Sequence, residues 1–149
     1  MMSSTRRCEI HVDGSSLGNP GPAGVGVVLT DGPNRAPHVF SKSLGRATNN
    51  VAEYFALIYA LQLAAEAGYA HVSARTDSEL LVRQITGRYK VRHPELQRLH
   101  SLAQQLISGF GSFQIRHVPR EQNRLADRLA GEASRGRETA FGPAPNPAS

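Results

Sequence analysis

Four acidic residues, Asp13, Glu53, Asp77 and Asp127, lie where the local pattern predicts that a strand or helix begins or ends. Asp13 and Asp77 end short strands, whereas Glu53 and Asp127 fall in the first turns of helices. Each acid alone also fits an ordinary turn or helix cap. Together they indicate a cation site, because carboxylates about 4 Å apart repel by roughly 4 kcal/mol per pair at an effective dielectric near 20.

The residue types favour particular cations and a particular reaction. Oxygen ligands, with no cysteine or histidine set at zinc spacing, suit Mg²⁺ or Mn²⁺. A pair of such ions is well suited to phosphodiester hydrolysis, since one activates water and the other stabilises the leaving oxygen. The strands that end at Asp13 and Asp77 are separated by a predicted crossover helix. They can therefore pair in parallel, which would bring both acids to one end of a sheet.

The remaining pattern predicts the elements that position these acids. Strands are predicted over residues 9–14, 23–30, 38–43, 72–76 and 113–118. Helices are predicted over residues 49–67, from residue 78, from residue 94 and over residues 123–132. The short turns between the first three strands imply an antiparallel meander, and apolar residues around most of the first helix imply deep packing. This order predicts an α/β fold with a mixed five-stranded sheet flanked by helices.

Length and composition are those of one soluble domain. The 149 residues carry a formal net charge of +5 and only two lysines, so the positive charge is almost all arginine. This balance favours a polyanionic partner, because arginine binds phosphate through two parallel hydrogen bonds. A single cysteine, Cys8, excludes an intramolecular disulfide and favours a reducing, cytoplasmic location.

The chain ends and targeting signals allow further expectations. Residues 1–7 lack the apolar run of a signal peptide, and no stretch approaches the roughly 18 apolar residues of a membrane span. We therefore expect no membrane partner, and we take a monomer as the default. Residues 8–134 are predicted to form the folded domain, between a flexible N-terminus at 1–7 and a flexible Pro/Gly-rich tail at 135–149.

Four sequence blocks closely resemble the type 1 ribonuclease H family, and they occur in the family's order. They are DGSSLGNPGPAG (13–24), TNNVAEYFAL (48–57), TDSELLVRQI (76–85) and PREQNRLADRLA (119–130). The resemblance spans residues 9 to about 134. It implies the ribonuclease H fold and Mg²⁺-dependent endonucleolytic cleavage of the RNA strand of RNA/DNA hybrids, giving 5′-phosphate and 3′-hydroxyl ends, with Mn²⁺ as a substitute ion. It assigns the catalytic, metal-binding acids to Asp13, Glu53, Asp77 and Asp127.

The resemblance also implies a set of substrate contacts. These are Gly14, Ser15, Asn19, Thr48, Asn49, Asn50 and Ser78. Amide side chains suit this role, because they both donate to and accept from the 2′-hydroxyl that distinguishes RNA from DNA. Thr48 resembles part of a site for a phosphate of the DNA strand. All of these residues also fit ordinary turn and cap positions.

Two segments depart from the best-known bacterial members of the family. A long basic protrusion is reduced here to residues 87–93, whose basic and aromatic side chains either contact phosphate or form a solvated loop. The connection before the fourth acid is short, and its PREQN sequence resembles the compact archaeal-type subgroup. There an arginine replaces a loop histidine, so we expect Arg120, rather than His117, to fill that place as a phosphate-binding group. Members of that subgroup also cleave double-stranded RNA, which stays open here.

Two rival classes remain. A catalytically inactive binding module would keep the fold without turnover, but the presence of all four acids disfavours it. A junction resolvase or integrase core would share the wider fold, but the NPGP and TNN motifs favour the hybrid-binding branch. The Gly-rich loop after the first strand lacks the Gly-Lys-Ser/Thr ending of a nucleotide-binding loop.

Overall fold

The computed structural model describes residues 5–145, which form one six-stranded sheet with helices on both faces. The strands are β1 (Arg7–Ser16), β2 (Gly21–Thr30), β3 (His38–Ala47), β4 (His71–Thr76), β5 (Ser112–His117) and β6 (Thr139–Pro143). The helices are α1 (Asn49–Glu66), α2 (Glu79–Ile85), α3 (Pro94–Ser108) and α4 (Arg124–Ser134), with a short 3-10 turn at Arg120–Gln122. Every predicted strand and helix is present. No helix in the described part of the chain is long and apolar enough to cross a membrane.

The sheet topology brings the ends of β1 and β4 together. The spatial order is β5-β4-β1-β2-β3-β6. The β1–β2 and β2–β3 pairs are antiparallel, which confirms the predicted meander. The β1–β4 and β4–β5 pairs are parallel, which confirms the predicted pairing of the two strands that end in acids. Asp13 and Asp77 therefore lie at the same end of the sheet, where β1 and β4 end side by side.

The sequence predicted five strands and a flexible tail from residue 135. The number of strands is wrong, because part of the predicted tail is a further strand. Residues Thr139–Pro143 form β6, which pairs antiparallel with β3 at the edge of the sheet. Glu138 fixes the start of this strand, because its Oε2 accepts a hydrogen bond from the backbone N–H of Ser43 at 2.8 Å. Residues 146–149 of the predicted tail, and residues 1–4 at the other end, lie outside the described residues.

The main core lies between the sheet and the α1–α3 layer. Alternate residues of β1, including Ile10 and Val12, are fully buried against α1. Tyr54, Leu57 and Leu61 of α1 are also almost fully buried, which confirms the deep packing predicted for this helix. The burial of α1 fixes its first turn, and therefore Glu53, relative to the end of β1.

Helix α4 packs on the opposite face of the sheet, and two glycines of β2 allow its close approach. A Cβ atom at Gly26 would lie 2.2 Å from the carbonyl oxygen of Ala126, and one at Gly24 would lie 2.5 Å from the backbone nitrogen of Ser134. Gly26 is also the β2 partner of Asp13. The absence of a side chain at Gly26 thus lets α4 carry Asp127 next to the strand that holds Asp13.

Candidate active site

Three of the four predicted acids converge at the shared end of β1 and β4. Asp13 is near the end of β1 and only 4% exposed, whereas Asp77 follows β4 directly and is half-buried. One carboxylate oxygen from each of Asp13, Glu53 and Asp77 lies within 4.8 Å of the other two. The donor chemistry of this arrangement suits a divalent cation, since all of its ligand atoms are carboxylate oxygens.

Glu53 reaches the cluster because α1 lies directly against Gly14. A Cβ atom at Gly14 would lie 2.4 Å from the backbone nitrogen of Glu53, so any side chain there would displace the helix. Glu53 does not serve as an ordinary helix-cap residue, because the N-cap of α1 is Thr48, whose Oγ1 accepts from the N–H of Val51 at 3.2 Å. Oε2 of Glu53 is instead buried without a hydrogen-bond partner among residues 5–145. A buried carboxylate oxygen without a donor suits a cation ligand.

Asp127 adds a fourth carboxylate from the first turn of α4. It lies close enough to Asp13 to raise the pKa of that side chain. Nη2 of Arg120 lies 3.4 Å from Oδ1 of Asp127, and the Arg120 side chain is 75% exposed. His117 is exposed at the end of β5, on the strand rather than in the connection. Of the two basic groups, Arg120 thus contacts one of the four acids.

The electrostatics of the cluster require a proton or a cation. Burial raises the pKa of Asp13, and the negative charges of Glu53, Asp77 and Asp127 raise it further. Burial also raises the pKa of Glu53. The four carboxylates thus cannot all be ionised at neutral pH without strong repulsion, and a divalent cation would remove that repulsion by binding them.

Asn123, which the sequence pattern placed only at the start of the last helix, lies inside this site. The structure gives it no capping bond from its side chain to α4. Its Nδ2 instead donates to the carbonyl oxygen of Val12 at 2.9 Å and lies 3.5 Å from Oδ1 of Asp77. The only sequence signal was its position four residues before Asp127, which favours a cap as strongly as a site residue.

Four of the residues predicted to contact substrate lie near the N-terminus of α1: Asn19, Thr48, Asn49 and Asn50. Oδ1 of Asn19 accepts from the backbone N–H of Asn49 at 2.9 Å, so the loop between β1 and β2 is joined to the helix start. The side chains of Asn19, Asn49 and Asn50 belong to exposed residues, and Thr48 is half-buried. These residues form a polar ridge beside the carboxylate cluster.

The other predicted contacts occupy different settings. Gly14 is buried against α1, and the neighbouring Ser15 is half-buried. Ser78 caps α2, since its Oγ accepts from the N–H of Leu81 at 3.2 Å. The cap of α2 is therefore Ser78 rather than Asp77, which leaves the Asp77 carboxylate available to the cluster.

The connection between α2 and α3 is short and exposed. It contains Tyr89, which is 48% exposed. The guanidinium carbon of Arg83 lies over the Tyr89 ring, 5.0 Å from the ring centroid. Nδ1 of His93 accepts from the N–H of Glu95 and caps α3. Lys90 and Arg92 are exposed. Within this connection, the exposed basic side chains of Lys90 and Arg92 can reach a phosphate without breaking a helix cap.

Comparison with known proteins identifies the relatives of this chain. A family model described as reverse transcriptase-like matches residues 11–133. Ribonuclease HI of Halobacterium salinarum is 46% identical over 127 residues, which cover 85% of this chain and 64% of that protein. A ribonuclease H of Escherichia coli is 32% identical over 143 residues, which cover 87% of this chain and 90% of that protein.

The chain is shorter than some of its relatives. The bifunctional protein Rv2228c of Mycobacterium tuberculosis is 46% identical over 125 residues, yet those residues cover only 34% of its length.

Among solved structures, LC11-RNase H1 in complex with an RNA/DNA hybrid superposes with a TM-score of 0.82 at 41% identity, covering 87% of this chain and 97% of that one. The region matched by the family model, residues 11–133, includes the segments that carry the four acids.

Proposed function

The chain belongs to the type 1 ribonuclease H family, and from this premise we propose that it is a metal-dependent endonuclease that hydrolyses the RNA strand of RNA/DNA hybrids. The products would carry 5′-phosphate and 3′-hydroxyl ends. One observation supports the proposal most directly: three carboxylates from separate elements approach within 4.8 Å of one another, and buried Oε2 of Glu53 has no hydrogen-bond partner among the described residues.

We propose Mg²⁺ as the physiological cation, with Mn²⁺ as a substitute, held by Asp13, Glu53, Asp77 and Asp127. All four ligands are oxygen donors, which both ions prefer. Bound divalent ions supply a nucleophile from water and stabilise the charge on the leaving oxygen. The chain contributes the fixed positions of the carboxylates, which α1, β4 and α4 hold around the end of β1.

We propose that the polar ridge beside the cluster selects the RNA strand. Asn19 uses its Oδ1 for the N–H of Asn49, so its NH₂ group remains able to donate to substrate. Amides can hydrogen-bond the 2′-hydroxyl and the minor-groove edges of bases. Arg120, which is 75% exposed beside Asp127, would bind a phosphate of the cut strand rather than exchange protons, because its guanidinium does not deprotonate.

We also propose a cellular location, an oligomeric state and a further substrate for this protein. A cytoplasmic, reducing location is supported by the single cysteine, which is buried and has a pKa raised by burial to about 12. A monomer is the default state for a domain of this size. Double-stranded RNA is proposed as a further substrate on the resemblance to the compact subgroup.

The decisive experiment follows cleavage of one end-labelled RNA strand annealed to DNA, annealed to RNA, or left single. The native chain and Asp13→Asn are compared in Mg²⁺ and in Mn²⁺. We expect cleavage of the hybrid by the native chain and its loss in the variant, while the duplex-RNA sample tests the further substrate. Binding of the hybrid without cleavage in either ion would replace the proposal with a binding module.

A further inference from the structure

Asn123 is an almost fully buried polar residue between the 3-10 turn and α4, with 1% of its surface exposed. It is the residue before α4, where an asparagine side chain normally accepts a hydrogen bond from the first turn. The structure gives it no such bond. The side chain of Asn123 therefore serves a different contact.

That contact joins the two acids at the strand ends. Nδ2 donates to the carbonyl oxygen of Val12, the residue before Asp13, at 2.9 Å. The same nitrogen lies 3.5 Å from Oδ1 of Asp77. One amide group thus lies between the backbone that carries Asp13 and the carboxylate of Asp77.

The backbone of Asn123 extends the connection to the other side of the site. Its N–H donates to the carbonyl oxygen of Arg120 at 2.9 Å, and its carbonyl oxygen accepts from the N–H of Asp127 at 3.0 Å. Each of these bonds reaches a segment that carries a charged site residue. A movement of Asn123 would therefore displace several site segments together.

The remaining polar atom of Asn123 is left unpaired. Oδ1 is buried without a hydrogen-bond partner among residues 5–145, which is unfavourable for a carbonyl oxygen. Reversing the amide would not relieve this, because it would turn the oxygen toward the Val12 carbonyl and the Asp77 carboxylate, which are both acceptors. The two acceptors of the NH₂ group therefore set the orientation of the Asn123 amide, although this orientation leaves Oδ1 without a hydrogen bond among the described residues.

We propose that Asn123 is a positioning residue, which holds the Asp77 carboxylate against the end of β1 and thereby sets the spacing of Asp13 and Asp77 for a divalent cation. The inference rests on the metal site of the proposed function, but not on the identity of the nucleic acid. Groups that orient metal ligands commonly change metal affinity by about 10–100-fold when they are removed.

The test measures Mn²⁺ binding directly, without substrate, by calorimetry or by the paramagnetic resonance of free Mn²⁺. Asn123→Leu keeps a similar volume but removes both amide atoms. We expect its Mn²⁺ affinity to fall by about 10–100-fold. In the cleavage assay, the Mn²⁺ concentration for half-maximal rate should rise by a similar factor, while the KM for hybrid at saturating Mn²⁺ stays within about twofold.

The matched control is Gln84→Leu, at another buried polar side chain, whose hydrogen bond comes from Tyr54 and not from one of the four acids. Gln84 is 6% exposed and accepts a hydrogen bond from Tyr54 Oη at 2.6 Å. We expect this variant to lower the melting temperature without changing Mn²⁺ affinity. If Asn123→Leu does not fold, Asn123→Ser takes its place, because a serine hydroxyl is too short to reach both acceptors.

The outcomes separate this inference from the proposed function. Native Mn²⁺ affinity in a folded Asn123 variant would overturn the positioning role, whatever the melting temperature. A native chain that binds no Mn²⁺ would overturn this inference together with the metal site. A native chain that binds Mn²⁺ but cuts no hybrid would contradict only the proposed function.

Discussion

Two aspartates at opposite ends of the β1–β2 hairpin have opposite surroundings. Asp31 directly follows β2, and its Oδ2 accepts from Tyr69 Oη at 2.5 Å and lies 3.7 Å from Nη1 of Arg35. The hydrogen bond from Tyr69, assisted by nearby arginines, lowers the pKa of Asp31. Asp13, at the other end, has three more carboxylates as neighbours, and its pKa is raised.

The difference separates a structural carboxylate from a functional one. At Asp31 the chain supplies its own donor and cations, so the negative charge is stabilised within the fold. At Asp13 the same kind of side chain is placed in a buried cluster of like charge, which lowers the stability of the metal-free protein. Such an arrangement is expected where an external cation completes the site.

The largest expected effect distinguishes the two ends by activity. Asp77→Asn should reduce hybrid cleavage by roughly 10³-fold, because loss of a preorganised charge in an active site has effects of this order. Asp31→Asn should leave the cleavage rate within about twofold, since it lies at the far end of the hairpin. Single-turnover cleavage in saturating Mg²⁺ measures both. Equal losses in the two variants would break the comparison.

A second prediction concerns the close approach of α4 to β2. Gly26→Val should destabilise the protein by about 3 kcal/mol, because its side chain would collide with the α4 backbone. The matched control is Gly142→Ala in β6, where a Cβ atom meets nothing within 4 Å among residues 5–145, and where we expect a change within about 0.5 kcal/mol. Urea denaturation measures both. A small change in the free energy of unfolding for Gly26→Val would mean that α4 can shift without a loss of stability.

Much of this architecture follows from the sequence, and the omissions have physical reasons. The parallel placement of Asp13 and Asp77 could be predicted because a crossover helix separates their strands. The role of Gly26 could not, because an apolar strand pattern does not reveal which helix packs on its glycines. The contact of Asn123 with Val12 could not be predicted either, because the sequence pattern shows only its place at the start of the last helix and Val12 is distant in sequence.

The sixth strand shows the same limit. Residues 139–143 precede several prolines and look like a tail by composition. They form a strand because β3 offers an unpaired edge and Glu138 fixes the approach to it. Strand formation at such positions depends on the partner more than on the local sequence.

A third prediction tests the structural end of the comparison through pH. Tyr69→Phe should lower the melting temperature by about 2–4 °C at pH 7. Because the folded-state pKa of Asp31 is lowered, its stabilisation is present above the unfolded pKa near 3.9 and is lost as pH falls through the folded value. The difference between native and variant should therefore shrink below pH 4. A constant difference would mean that the Asp31 charge contributes nothing.

A fourth prediction, of similar size to the third, has the opposite sign. The folded-state pKa of Asp13 is raised, so the folded protein binds more protons than the unfolded chain above about pH 4, and its stability falls as pH rises. Without divalent ions, Asp13→Asn should therefore raise the melting temperature by about 2–4 °C at pH 8. The gain should disappear near pH 4, and Mg²⁺ should stabilise only the native chain. Destabilisation by Asp13→Asn in chelator would contradict the charge imbalance.

The pairing of β6 with β3 also protects the molecule against aggregation through its strand edges. An open strand edge offers unpaired N–H and C=O groups to any neighbouring chain. Here β6 covers the β3 edge from His38 to Ser41, and β6 itself is only five residues long and ends in Pro143. The other edge, β5, carries exposed Arg116 and His117. Removal of residues 139–149 would uncover the part of the β3 edge from His38 to Ser41, and we expect aggregation through that edge.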